Sequence, residues 1–384
     1  MVRFADGGER VPATLPDWLR WQAQQQGESI ALRHKRLGIW QARTWTQVAG
    51  EVRGLASALQ VRGFAGDSLL VILSRPRPEA LLAALAAQWL GGVAALFDPL
   101  AEAAGQRELL RELQPDFVFA ETLDELERLR GAGLAPRLTI YAEARGVRAQ
   151  EGEQDYARLL AGLRPAQPEP QAQAGRGAFA FYRRGASGRS ERQLIGHDEL
   201  LRQGRQLVQA ERLGAQEEAL AARAFAAGGQ ARYLLAPWLI AGFRLNFPES
   251  LATRDNDRRE LGPTLVAGTR ETYGRLHELA LARLPQPGSV SRHLVDWALA
   301  RRPGLLRQTL GHWLVRRPLR DVLGFSRTRT PLLVGEPLPR DAEAFFAGLG
   351  VAVRAWPDPS EWHSPPVHPL PSVDGWVAGG PQPV

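Results

Sequence analysis

With 384 residues and a 44% hydrophobic composition, the chain can bury a large core and build more than one packing unit, which excludes a disordered polymer. Its net charge of +7 is spread among interspersed acidic residues, and without a basic tail or a recognisable nucleic-acid module no nucleic-acid partner is expected. Cysteine is absent and Lys35 is the only lysine, which removes disulfides, thiolate chemistry and almost all chemistry that needs a lysine amine.

The chain opens on MVRFADGGER, polar and charged, without the apolar core of a secretory signal, so a cytoplasmic location is the expectation. From residue 15 to residue 164 amphipathic helical patterns alternate with short apolar runs, the rhythm of an α/β fold whose strands are buried on both faces. Thr46 reads as a capping residue, followed by apolar positions at helical spacing and a closing Gly63, which predicts an amphipathic helix whose role is packing. Strands are expected at Leu69–Leu73, Val93–Phe97 and Phe117–Ala120. Residues 80–97, ALLAALAAQWLGGVAALF, are long enough to raise the question of a membrane span. The Ala-rich start, the Gly91-Gly92 break and the V-A-A-L-F run favour a buried helix, a turn and a core strand. Residues 164–177, RPAQPEPQAQAGRG, lack periodicity and read as a linker between subdomains over 1–163 and 178–384. Repeats of the solenoid kind are absent. The adjacent carboxylates Glu217 and Glu218 read as a solvated helix surface.

The segment 178–201, AFAFYRRGASGRSERQLIGHDELL, runs from an apolar strand into a loop with Gly185 and Gly188, a loop type whose backbone amides can surround a phosphate. Alone this is a weak signal, because two glycines three apart usually make only a turn. The loop is neither GxxxxGK[ST] nor GxGxxG. It resembles the Y-T-S-G-T-T-G-x-P-K-G motif of adenylate-forming (AMP-binding) enzymes, which is followed by S-H-R-N-L. Tyr182, Gly185, Gly188, His197 and Leu200 fall on that frame, with Ser187 at a threonine position. Arg183 and Arg184 replace a small Thr-Ser pair, Ala186 replaces a threonine and Glu191 stands where the motif has lysine. A carboxylate there turns attraction for a triphosphate into repulsion, on the order of a few kcal/mol at an effective dielectric of about 20.

The resemblance continues downstream and is similar to the bacterial long-chain acyl-CoA synthetases. Their motif N-x-P-E-D-P-E-T-V-x-x-D-L-R-E-L-G-P-T is matched by NFPESLATRDNDRRELGPT at 246–264. Their WLVYRPLRDxLGLSRVRxAxTAGE stretch is matched within residues 312–350 and places Glu336. Residues 305–320 are also basic and amphipathic, which suits peripheral contact with an anionic membrane surface, although a solvated helix packed on the domain is the preferred reading. The next motif, L-Y-G-Q-T-E, implies an adenine-stacking tyrosine, a phosphate threonine and a magnesium glutamate. Here the aligned residues are Trp356, Pro357, Asp358, Pro359, Ser360 and Glu361, so the hydroxyl and the carboxylate survive while the aromatic platform is lost. The closing VDGWVAGGPQPV resembles a strand shortly before the T-G-D motif, and the resemblance implies that the ribose aspartate and the C-terminal lid are missing. His363 and His368, near Asp358 and Glu361 in a proline-rich setting, read as a loop.

What this resemblance implies is a two-subdomain α/β body of an adenylate-forming enzyme, without the C-terminal lid and with a vestigial nucleotide cleft between the halves. The vestigial nucleotide-binding residues are Tyr182, Gly185, Ser187, Gly188, Glu191, Glu336, Ser360 and Glu361, with Glu361 at a vestigial magnesium position and no catalytic residue intact. Arg183, Arg184, Arg189 and Arg192 are expected to keep a local positive field and bind an anion. ATP with magnesium and CoA follow from the resemblance alone. The expected role is that of a catalytically impaired acyl-CoA synthetase homologue binding an acyl or phosphate-bearing small molecule. The alternative is a weak fatty-acid-activating acyl-CoA ligase.

Overall fold

The computed structural model of the chain describes residues 11–358, apart from 99, 101–102, 163–167, 186, 224–225, 301–303 and 305–308. Two seven-stranded sheets organise it. In the first the strand order is β7-β6-β5-β3-β4-β8-β9. Those strands are β3 (Leu69–Leu73), β4 (Val93–Phe97), β5 (Phe117–Ala120), β6 (Leu138–Tyr141), β7 (Glu153–Asp155), β8 (Gly177–Arg184) and β9 (Ser190–Gly196). The second follows the order β14-β13-β12-β10-β11-β1-β2. It is built from β1 (Ile30–Arg36), β2 (Ile39–Thr44), β10 (Glu218–Leu220), β11 (Arg244–Phe247), β12 (Leu265–Gly268), β13 (Thr330–Val334) and β14 (Arg354–Trp356). Neighbours pair in parallel except at the two edge hairpins, β8 with β9 and β1 with β2. The three strands read directly from the sequence are therefore central strands of one sheet, and their continuous apolar character reflects burial on both faces.

The expected division at 164–177 is not where the sheets divide. The hairpin β1–β2 belongs to the sheet otherwise built from residues beyond 178, through parallel pairing of β1 with β11. The hairpin β8–β9 belongs to the sheet otherwise built before residue 163, through pairing of β4 with β8. Each half of the sequence thus lends two strands to the other, because an open sheet edge gains backbone hydrogen bonds from whichever strand reaches it.

Between the sheets lies a helical layer of α1 (Leu15–Gln26), α2 (Trp45–Val61), α3 (Pro78–Trp89), α7 (His197–Glu211) and α9 (Ala236–Ala241), and its apolar residues form the largest core. On the outer faces, α4 (Ala103–Leu113) and α5 (Leu123–Gly131) cover the first sheet. Helices α11 (Arg270–Leu281) and α14 (Arg340–Gly348) cover the second. The remaining helices are α6 (Tyr156–Ala161), α8 (Gly228–Gln230), α10 (Arg254–Leu261), α12 (Val290–Leu299) and α13 (Arg317–Val322). Every residue of α3 is buried, as a helix between two sheets must be. It leads through a turn at Gly91, φ +81°, into β4. A Cβ on Gly92 would come within 2.5 Å of the Phe64 ring, so this break also lets the helix and strand approach. No helix among the described residues is long and apolar enough to cross a membrane.

Two local expectations change. The cap of α2 is Thr44, whose hydroxyl accepts from the Gln47 amide while the Gln47 side chain returns to the Thr44 amide. The reciprocal pair satisfies two otherwise orphaned donors, and Thr46 lies inside the first turn. Glu218 is a buried strand residue, hydrogen-bonded by Asn246 Nδ2 at 2.9 Å and paired with Arg33 and Arg244, and its neighbour Glu217 precedes the strand.

Candidate functional site

The glycine loop is the turn of the hairpin β8–β9. Tyr182 pairs across it with Arg192, Arg183 with Glu191 and Arg184 with Ser190. Two amides of the loop donate within it: Gly185 N donates to Arg189 O at 2.8 Å and Gly188 N to Gly185 O at 2.9 Å. Gly188 has φ +74°, the left-handed conformation that favours glycine. A Cβ on Gly185 would lie 2.3 Å from Glu191 Oε1, a contact the flexible Glu191 side chain can relieve.

The arginines of this hairpin are engaged rather than open. Arg183 Nε donates to Glu191 Oε2 at 2.7 Å. Arg184 lies between Glu108 at 2.9 Å and Glu112 at 2.7 Å, both on α4, and also donates to Gly188 O at 3.0 Å. Arg189 is exposed. The Arg192 guanidinium lies beside the Tyr182 hydroxyl, whose pKa burial raises and Arg192 partly restores. Tyr182 stacks on Phe97 with ring centroids 5.8 Å apart, so this tyrosine closes the core of the first sheet. The positive field expected from Arg183 and Arg184 is thus met by Glu191, Glu108 and Glu112, carboxylates of which two come from a distant helix. Ser187 is exposed at the tip and Ala186 lies outside the described residues.

Facing the hairpin, the chain after β14 is fastened across the start of α8. Arg232, in a π-helical turn Ala231–Leu235 between α8 and α9, is buried. It donates to Asp358 Oδ1 at 2.9 Å and to Glu199 Oε1 at 3.0 Å. Burial raises the Asp358 pKa against the opposing pull of Arg232 and a bond from the Gly229 amide. A Cβ on Gly229 would lie 2.6 Å from Val334 and 2.8 Å from Asp358, so only glycine lets this segment sit so close. Tyr233 donates its hydroxyl proton to Pro357 O and its ring lies 5.7 Å from that of Trp356. Pro357 occupies the position where the resembled motif has its adenine-stacking tyrosine.

Glu336 is exposed and paired with Arg270 at 3.2 Å. Ser360, Glu361, His363 and His368 lie outside the described residues, as does the closing strand. Among the described residues no three His, Asp or Glu side chains converge as a metal site. His197 is fully buried at the start of α7, where its Nδ1 accepts from the Leu15 amide at 3.3 Å. It joins α7 to α1. In the amphipathic stretch 305–320, residues 305–308 lie outside the description. Val315 packs on Val295 and Ala298, while Trp313 and Leu314 are exposed and the Arg317 guanidinium stacks 4.6 Å over Trp313.

Residues 19–355 match the family described as AMP-binding enzyme. The chain belongs to that family. A curated relative is the medium/long-chain-fatty-acid (acyl-carrier-protein) ligase FadD10 of Mycobacterium tuberculosis, 35% identical over 89 residues, a match that takes in 23% of this chain and 16% of the relative. Among solved structures, the adenylation domain of a carboxylate reductase from Mycobacterium chelonae superposes with a TM-score of 0.68 at 14% identity, covering 91% of this chain and 58% of that one. A long-chain-fatty-acid CoA ligase from Rhodopseudomonas palustris, described as putative, superposes with a TM-score of 0.63 at 17% identity, covering 88% and 73%. At such identities the structures establish the fold: the α/β architecture of an adenylate-forming domain, as the motifs implied. Sequence reasoning missed the Arg232–Asp358–Glu199 arrangement. Its one trace in the sequence is the Gly228-Gly229 pair ahead of an arginine in an otherwise apolar run.

Proposed function

We propose that this member of the AMP-binding enzyme family is long-chain acyl-CoA synthetase-like and impaired in adenylation, acting as a binding or accessory protein for an acyl or phosphate-bearing small molecule. The observation that carries the reading is the closed hairpin. A backbone N–H that already donates to a carbonyl has no proton left for a phosphate oxygen, and the Gly185 and Gly188 amides both donate within the loop. The ion pair Arg183–Glu191 lies across the hairpin, which places a carboxylate beside the glycine loop. In this reading the hairpin offers a triphosphate fewer free donors than the family motif implies, and no adenylation step is assigned to it. Weak binding of a smaller anion near the exposed Arg189 is compatible with the same geometry.

The test is fatty-acid-dependent exchange of pyrophosphate into ATP by the purified chain. No exchange above a control lacking the fatty acid is expected. Exchange that depends on the acyl substrate and disappears in Glu361→Ala would replace this reading with that of a weak acyl-CoA ligase.

A further inference from the structure

A cavity of about 230 Å³ opens on the face of the second sheet, beside β10 and β12 and between α10 and α11. Four arginines line it: Arg223, Arg254, Arg258 and Arg275. Two carboxylates answer them. Asp255 pairs with Arg258 at 3.1 Å and with Arg275, and Glu271 pairs with Arg223 at 3.1 Å. Four cations against two anions leave an excess of two positive charges, and Arg254 has no ion-pair partner among the described residues.

The geometry resists explanation as a solvated face. The Arg258 side chain is only 4% exposed, and of its five N–H donors one hydrogen bond, to Asp255, is made to the described residues. Burial, opposed by Asp255, lowers its pKa to about 10, and burial with the nearby Arg275 lowers that of Arg254. A guanidinium this buried needs hydrogen-bond partners, and beyond Asp255 the Arg258 side chain borders the cavity. In the long-chain synthetase motif that residues 246–264 resemble, the positions of Arg254 and Arg258 are Val and Leu. Arg254 and Arg258 lie on one helix, four residues apart, so that both lie on the same face and both line the cavity.

We propose that this cavity is a binding site for a compact oxyanion carrying two negative charges, a phosphoryl group or a short dicarboxylate. Two charges neutralise the excess, and forked guanidiniums suit either oxyanion. The volume is below that of typical drug-sized sites, which suits a compact ligand. The site is separate from the glycine hairpin, and the proposal does not rest on the nucleotide reading.

The experiment is titration calorimetry of the full chain with inorganic phosphate and, separately, succinate, at constant ionic strength set with chloride. Saturable one-site binding of at least one of the two is expected, and which one saturates distinguishes a phosphoryl ligand from a dicarboxylate. Arg254→Val, at a half-exposed position, should weaken binding at least tenfold with thermal unfolding unchanged or raised. Arg258→Leu should abolish it. If Arg258→Leu does not fold, Arg254→Val alone decides. The control Arg183→Ser with Arg184→Ser should bind as the parent does. No saturable heat with either anion, parent-like affinity in Arg254→Val, or loss of binding in the hairpin control would each overturn the assignment.

Discussion

Two histidines sit where burial outweighs any pull toward the charged form. Burial holds the His197 pKa down to about 3 and the His34 pKa down to about 4, the latter against a raising pull from Glu79. In the unfolded chain both titrate near 6.5. As pH falls below about 6.5 the unfolded state therefore takes up protons that the folded state refuses, so the stabilisation is full above that pH and is lost on the way down toward 4 and 3. For His197 the geometry gives the same direction, because Nδ1 must stay unprotonated to accept from the Leu15 amide. Each histidine should cost about 1 to 2 kcal/mol between pH 7 and pH 5. Denaturant unfolding of His197→Gln across that range should show roughly half the parent's loss, and an unchanged pH slope would refute the argument. A second residue to test is Glu79, buried between Arg77 at 2.8 Å and Arg43 at 2.8 Å. Burial opposes its charge, yet the two guanidiniums hold its carboxyl below the usual range. Glu79→Ala removes the carboxylate the two cations share, leaving Arg43 to Glu51 and Arg77 to Glu143 and Glu121, and should cost about 1 to 3 kcal/mol, read as a fall in the denaturation midpoint.

At the scale of elements, the start of α2 distinguishes two threonines two residues apart. Thr44→Ala removes the capping hydroxyl and should destabilise by about 1 kcal/mol, whereas Thr46→Ala, at an exposed first-turn position, should stay within about 0.5 kcal/mol. Equal costs in thermal unfolding would return the cap to Thr46. The helix itself was legible because its apolar spacing spans several turns. Its boundary was not, since Thr44 and Thr46 offer the same hydroxyl and only backbone geometry selects between them. The same holds for β3, β4 and β5, whose apolar runs are long-range facts of burial, against the glycine hairpin, whose glycines were legible but whose partners were not. Glu108 and Glu112 lie some seventy residues from Arg184 in sequence and reach it only because β8 joins the sheet beside β4 and under α4. The arginine cavity was illegible for the same reason: Arg223, Arg254 and Arg275 meet across three separate elements, and each alone looks like a surface charge.

At the scale of the molecule, the exchange of edge hairpins makes the two halves of the sequence mutually dependent. The first half contains the hairpin β1–β2, in which β1 pairs in parallel with β11 of the second half, and the second half contains the hairpin β8–β9, in which β8 pairs in parallel with β4 of the first. The helical layer between the sheets draws α1, α2 and α3 from one half and α7 and α9 from the other around one core. A half expressed alone would expose apolar faces of that layer and leave unpaired strand edges, both of which favour aggregation over an ordered fold. The segment joining them is itself held to both sides, since Trp89 Nε1 donates to Pro168 O at 2.7 Å and the Asp198 amide to Ala174 O at 3.0 Å. Cleavage within residues 164–177, at an engineered protease site, should leave the two pieces bound through gel filtration and unfolding in one transition. Separate expression of 1–163 and 178–384 should yield insoluble or molten products that recover a sharp transition only when refolded together. Two pieces that separate after cleavage, or either piece melting cooperatively alone, would show that the sheets are independent domains and that the shared core contributes little to their stability.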